Sequence, residues 1–105
     1  MHVLIVNFNL NGITEAQFAG QCEHLAPTFA AVPGLVSKIW LADSASGTYG
    51  GVYVWQDREA LERYKASDLF KGIAANPNLK NVTAREFGVL EPPTQVTRGM
   101  LVAHA

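Results

Sequence analysis

An α+β domain of order βαββαβ is what the chain predicts, on three observations. Apolar residues alternate with period two in separate short segments. Helix-capping residues open the stretches that follow the first and third of these segments. Pro and Gly mark the joints between them. At 105 residues the chain makes one domain, large enough to bury roughly two thirds of its unfolded surface without staples.

The first strand is expected from Val3 to Asn9, with Leu4, Val6 and Phe8 on one face and Val3, Ile5, Asn7 and Asn9 on the other. Asn11-Gly12 turns the chain, and Thr14 with Gln17 three residues later has the pattern of a capping box. Phe18, Cys22, Leu25 and Phe29 then fall on one helical stripe that packs on the sheet. Pro27 cannot donate to the carbonyl of Glu23, which predicts a kink or a break in the last turn before Pro33-Gly34 ends the element.

Leu35 to Ala42 reads as the second strand, Asp43 to Thr48 as a loop, and Tyr49 to Gln56 as the third strand of a hairpin. Gly50-Gly51 predicts a bulge or a close backbone approach. Alternation places Tyr49, Tyr53 and Trp55 together on one face, with Val52 and Val54 on the other. Asp57 caps a second helix with Ala60, Leu61 and Tyr64 inward, and Ser67 or Asp68 restarts it with Leu69, Phe70 and Ile73 inward. Asn76-Pro77-Asn78 stops that turn, and Val82 to Leu90 supplies the fourth strand, ended by Pro92-Pro93.

This order describes the ferredoxin-like arrangement, a four-stranded antiparallel sheet with two helices on one face. The opposite face must also be covered. Ile5, Trp40, Tyr53 and Trp55 read as surface that needs such cover, which predicts a homodimer with the sheets facing inward. Residues 91–105 form a C-terminal arm with too few charges for a solvated tail. The arm is expected to pack on the partner subunit as an added edge strand.

A net charge of −1 with 49% hydrophobic residues excludes a disordered chain and leaves no electrostatic footprint for nucleic acid or an anionic membrane. Cys22 is the single cysteine, so an internal disulfide is excluded and a reducing, cytoplasmic setting is expected. The opening apolar run lacks a basic flank and is too short for a signal peptide or a membrane span. No C-x-x-C, H-E-x-x-H, P-loop or G-x-G-x-x-G occurs, and His2, His24 and His104 are scattered, so no metal or cofactor is expected.

Pro33-Gly34, Lys38-Ile39-Trp40, Gly50-Gly51-Val52-Tyr53 and Glu91-Pro92 followed by Gln95 together resemble the YdhR family of mono-oxygenases. That family lies within the dimeric α/β-barrel group, which includes antibiotic-biosynthesis monooxygenases. The resemblance covers nearly the whole chain. Trp55, Ala60, Tyr64, Ser67 and Phe70 are similar in spacing to a pattern of the wider group. The resemblance implies oxygenation by molecular oxygen without metal, flavin or haem. Its substrate would be a small aromatic, a polycyclic phenol, quinol or anthrone that donates an electron once deprotonated. Such a site needs flat apolar walls, a proton acceptor and donors for a developing oxyanion.

Trp40, Tyr53 and Trp55 are candidate substrate walls, their alternative role being core or interface, and Tyr64 either reaches the space between helix and sheet or is core. Asn7 is a candidate catalytic donor or else a satisfied interface amide. Arg85 either stabilises an enolate or pairs with a carboxylate, and Lys38 presents the same choice. His24 is the natural base by type, although it shares the polar side of the first helix with Gln17, Gln21 and Thr28.

Haem degradation on the same fold would place a proximal histidine near Ala74, where this chain reads F-K-G-I-A-A-N. An RNA-recognition module shares the element order, but T-Y-G-G-V-Y-V-W lacks its basic residue and its glycine-aromatic alternation. A non-catalytic carrier of a small apolar molecule would use the same pocket.

Overall fold

The computed structural model describes residues 1–99. The elements are β1 (His2–Leu10), α1 (Glu15–Ala30), β2 (Leu35–Asp43), β3 (Thr48–Trp55), α2 (Arg58–Lys65), α3 (Asp68–Ala75), β4 (Leu79–Gly88) and a short α4 (Glu91–Val96). The strands form one antiparallel sheet in the order β2-β3-β1-β4, the ferredoxin-like fold that the sequence predicts.

Pairing of β1 with β3 runs without interruption from His2↔Trp55 to Phe8↔Tyr49. Leu4, Val6 and Phe8 therefore share a face with Tyr53, Gly51 and Tyr49, and all of these side chains are buried beneath the helices. The register of β2 on β3 adds Lys38 and Trp40 to that face. This corrects the argument for a partner. Trp40, Tyr53 and Trp55 face the helices, so only Ile5 of the four residues invoked lies on the open face. That face carries Val3, Ile5 and Asn7 in the centre, Ile39, Val52 and Val54 on one side, and Arg85 and Phe87 on the other.

Gly50-Gly51 is a close approach and not a bulge. Gly50 has φ +152°, and a Cβ there would lie 1.8 Å from the carbonyl oxygen of Val6. The ladder irregularities fall elsewhere, between Leu35 and Ser37 on β2 and between Asn7 and Asn9 where β1 meets β4.

Thr14 and Gln17 form the expected capping box on α1. The helix continues through Pro27 to Ala30, so of the expected kink or break the break does not occur. Its last turn is held by Phe29, buried among the rings of Trp40, Tyr53 and Tyr64. Asp57 and Ser67 cap α2 and α3 as expected. β4 starts earlier than the sequence predicts because the chain is clamped directly after Pro77. The Asn11 N–H donates to the Asn78 carbonyl (2.7 Å), and the Asn78 side chain donates to the Asn11 carbonyl (3.0 Å). Glu91–Val96 is helical, with proline in its first turn, so this part of the arm is not an edge strand. Met100, Leu101 and Val102 lie outside the described residues. Among the described residues, no helix is long and apolar enough to cross a membrane.

Candidate active site between the first helix and the sheet

α1 lies over the sheet without sealing it. Of its apolar stripe only Phe29 is fully buried, while Phe18 and Cys22 are half-buried and Leu25 is 38% exposed. Small residues line the gap: Ala19 and Ala26 on the helix, Ala42 on β2, and Gly50 on β3. Beneath the helix is a cavity of about 70 Å³ walled by Phe8, Phe18, Phe29, Lys38, Trp40 and Tyr53. It shares Phe18, Cys22 and Trp40 with an outer cleft of about 290 Å³ between α1 and β2, where Glu15 and Glu23 stand.

The walls are ordered aromatic contacts. Phe29 meets Trp40 edge-on at 5.3 Å, and Tyr53 stacks on Trp55 at 6.1 Å with planes 5° apart. Of the sequence-based candidates, Trp40 and Tyr53 line the cavity. Trp55 and Tyr64 stand behind Tyr53, where they hold its ring in place. The Trp55 indole N–H is buried and has no hydrogen-bond partner among the described residues.

The Tyr64 hydroxyl donates to the Tyr53 hydroxyl at 3.3 Å, which leaves the Tyr53 proton available to a ligand oxygen. Burial pushes the Tyr53 pKa up to about 12. Burial, reinforced by Tyr53, also raises that of Tyr64. Both phenols therefore remain neutral donors around neutral pH.

Lys38 is the residue that sequence reasoning undervalued. Its Nζ lies 3.4 Å from the ring centroids of both Phe29 and Trp40 and 4.5 Å from that of Tyr53. Among the described residues no carboxylate comes within 4.0 Å of it, the ion pairs being those of Met1 with Glu91 and of Lys65 with Glu62 and Glu86. The expected pairing with a carboxylate is replaced by an aromatic box. Burial lowers the Lys38 pKa from 10.5 to about 7, against an opposing contribution from Cys22. Burial also raises the pKa of Cys22 itself. Gly51 makes the room, since a Cβ there would lie 3.0 Å from Lys38 Cε and 3.2 Å from the Tyr53 ring. The signal available in the sequence was a lysine two residues before Trp40, on the same strand face.

Asn7 and Arg85 lie on the open face of the sheet, with the Arg85 guanidinium 5.4 Å from the Phe87 ring centroid. His24 is exposed on the outer side of α1, beside Gln17, Gln21 and Leu25. None of these three candidate catalytic residues shares the aromatic cavity with Trp40 and Tyr53.

Residues 3–100 match a family model described as "Putative mono-oxygenase ydhR". The chain is similar to the crystal structure of SnoaB, a cofactor-independent oxygenase from Streptomyces nogalater. Identity is 27% and the TM-score 0.66, over 86% of this chain and 94% of that one. It shares its fold with the haem-degrader MhuD from Mycobacterium tuberculosis, solved with two haems in its active site. Here identity is 20% and the TM-score 0.69, covering 86% and 96% of the two chains. An antibiotic biosynthesis monooxygenase has the same fold at 16% identity and a TM-score of 0.68, covering 86% and 99%. No curated protein matches.

Proposed function

The chain belongs to the ydhR family of mono-oxygenases, and from that premise we propose that it oxidises a small phenol, quinol or anthrone with molecular oxygen and no cofactor. The observation that carries the reading is the aromatic-walled cavity under α1, beside a cleft, in which the Tyr53 phenol and Lys38 stand against the rings, with Gln21, Cys22 and Asn76 as the other polar lining residues. Flat rings bind the substrate face, the Tyr53 hydroxyl meets its oxygen, and exclusion of water favours electron transfer from the deprotonated ring to oxygen. In the overall reaction of an anthrone, a methylene becomes a carbonyl and the second oxygen atom leaves as water, the substrate itself supplying every electron. The likeness to SnoaB, described as a cofactor-independent oxygenase, supports this chemistry. Haem degradation draws less support, because α3 presents Leu69, Phe70 and Ile73 toward the core and carries no histidine.

The proposed assembly is a homodimer through the open face. Val3, Ile5, Val52, Val54, Ile39 and Phe87 make that face apolar, with Ile39 60% and Phe87 44% exposed in the single chain. Asn7 and Arg85 then belong to the interface and not to the cavity. The packing of the C-terminal arm on the partner is part of the same proposal, supported by the exposure of Leu90 and Val96. A cytoplasmic setting accords with Cys22 as a free thiol.

The test is oxygen uptake with a panel of anthrones and quinols in chelator-treated buffer, with isotopically labelled oxygen traced into the product. Uptake with label incorporated supports the oxygenase. Binding without uptake makes the protein a carrier.

A further inference from the structure

We propose that Lys38 is the proton acceptor of this site, its amine taking the hydroxyl proton of a bound phenol and holding the resulting phenolate as an ammonium–phenolate pair. This deepens the oxygenase reading and rests on it for the substrate class. The geometry carries it. Lys38 Nζ lies 3.4 Å from the ring centroids of both Phe29 and Trp40, and all three residues line the cavity together with Tyr53.

The groups that face it cannot neutralise an ammonium. From α1 comes the Cys22 thiol, raised by burial, and from β3 comes the Tyr53 phenol, backed by Tyr64 of α2. Ile73, Asn76 and Leu79 close the cavity from the side of α3 and β4 without charge. Glu15 and Glu23 stand in the outer cleft, and Glu15 already accepts the Tyr49 hydroxyl at 2.7 Å. Among the described residues, an ammonium in this box has only ring faces for compensation, and above about pH 7 the side chain is a neutral amine.

A phenol whose ring lies in the outer cleft of about 290 Å³ and whose hydroxyl reaches the cavity changes that balance. The O–H bond breaks, its electron pair remains on oxygen, and the proton bonds to the lysine nitrogen. Each new charge supplies the counter-ion that the other lacks, while the Tyr53 hydroxyl donates to the phenolate oxygen. His24, Asn7 and Arg85 do not line this cavity.

The experiment uses a naphthol that is un-ionised in bulk buffer at about pH 8, so oxygen chemistry is not required. Absorbance reads phenol against phenolate, and calorimetry in buffers of different ionisation enthalpy counts protons exchanged with solvent. The wild-type chain should bind the naphthol as phenolate with close to no proton released, because the proton stays on Lys38. Lys38→Met should bind it un-ionised, since apolar burial favours the neutral form. Lys38→Arg should bind it as phenolate and release about one proton per ligand, because a guanidinium gives charge but accepts nothing. If the wild type binds un-ionised naphthol, or binds phenolate with a proton released, the assignment of Lys38 is overturned and the cavity stands. If the wild type binds no naphthol, the cavity reading fails and this proposal with it. The wild-type measurements decide the matter even if a variant fails to fold.

Discussion

The two faces of the sheet are built from the same strands and have opposite character. On β3, Tyr49, Gly51, Tyr53 and Trp55 point to the helices, and Val52 and Val54 point to the open face. The covered face pairs large rings with small residues, which leaves a cavity with oriented polar groups. The open face sets branched aliphatics and Phe87 beside Asn7 and Arg85, which makes a largely apolar surface. A ligand site needs the first kind of surface and an interface between copies suits the second. One pleated strand can therefore serve both purposes at a spacing of one residue.

Neighbouring residues on β3 test this contrast most strongly. Trp55→Ala should cost about 3–5 kcal/mol, since its side chain is fully buried against Tyr53 and Tyr64, whereas Val54→Ala should cost about 1–2 kcal/mol. Equilibrium denaturation in urea measures both, and equal losses would mean that the two faces are equally packed. The next effect is on association. Ile39→Asp places a charge on the open face and should weaken the dimer about tenfold or more, at roughly 1.4 kcal/mol per tenfold. Sedimentation across a concentration series reads it, with the circular dichroism unchanged. A wild-type chain that remains monomeric would remove the interface from the comparison.

The last expected effect concerns Lys38 and pH. Its pKa is depressed on folding from 10.5 to about 7, so between those values the unfolded chain binds more protons and stability rises with pH. Below about pH 7 the folded chain bears the full cost of burying an ammonium. Lys38→Met removes that cost, so its advantage in melting temperature should be largest near about pH 6 and should narrow toward about pH 9. A gap that does not change with pH would mean that the amine is solvated in the folded chain.

Element order, caps and the stripe of α1 were legible in the sequence because each has a local cause: alternation, an Asp or Ser before a helix, apolar residues at helical spacing. The parity of β1 was equally clear, but its meaning was not. Leu4, Val6 and Phe8 and the opposing Val3 and Ile5 are all apolar, so alternation says which residues share a face without saying which face the helices take. That choice is made by long-range pairing, Phe8 opposite Tyr49 and Lys38 opposite Tyr53. Trp40, Tyr53 and Trp55 were thus read as needing a partner when their cover comes from within the chain. Lys38 was hidden for the same reason, because the absence of a carboxylate around it depends on residues from α1, β2 and β3 together. The start of β4 was missed because the clamp that fixes it joins Asn11 to Asn78, far apart in sequence.

The two tryptophans stand at different depths, which gives the molecule two optical signals of its own. Trp55 is sealed in a stack of rings with its N–H lacking an acceptor among the described residues. Its emission should lie at short wavelength and stay constant until the chain unfolds. Trp40 borders the cavity beside the Lys38 amine, so a ligand or a change of charge there alters its surroundings directly. One emission spectrum therefore carries a report of integrity and a report of occupancy, and Trp40→Phe separates them without any attached dye.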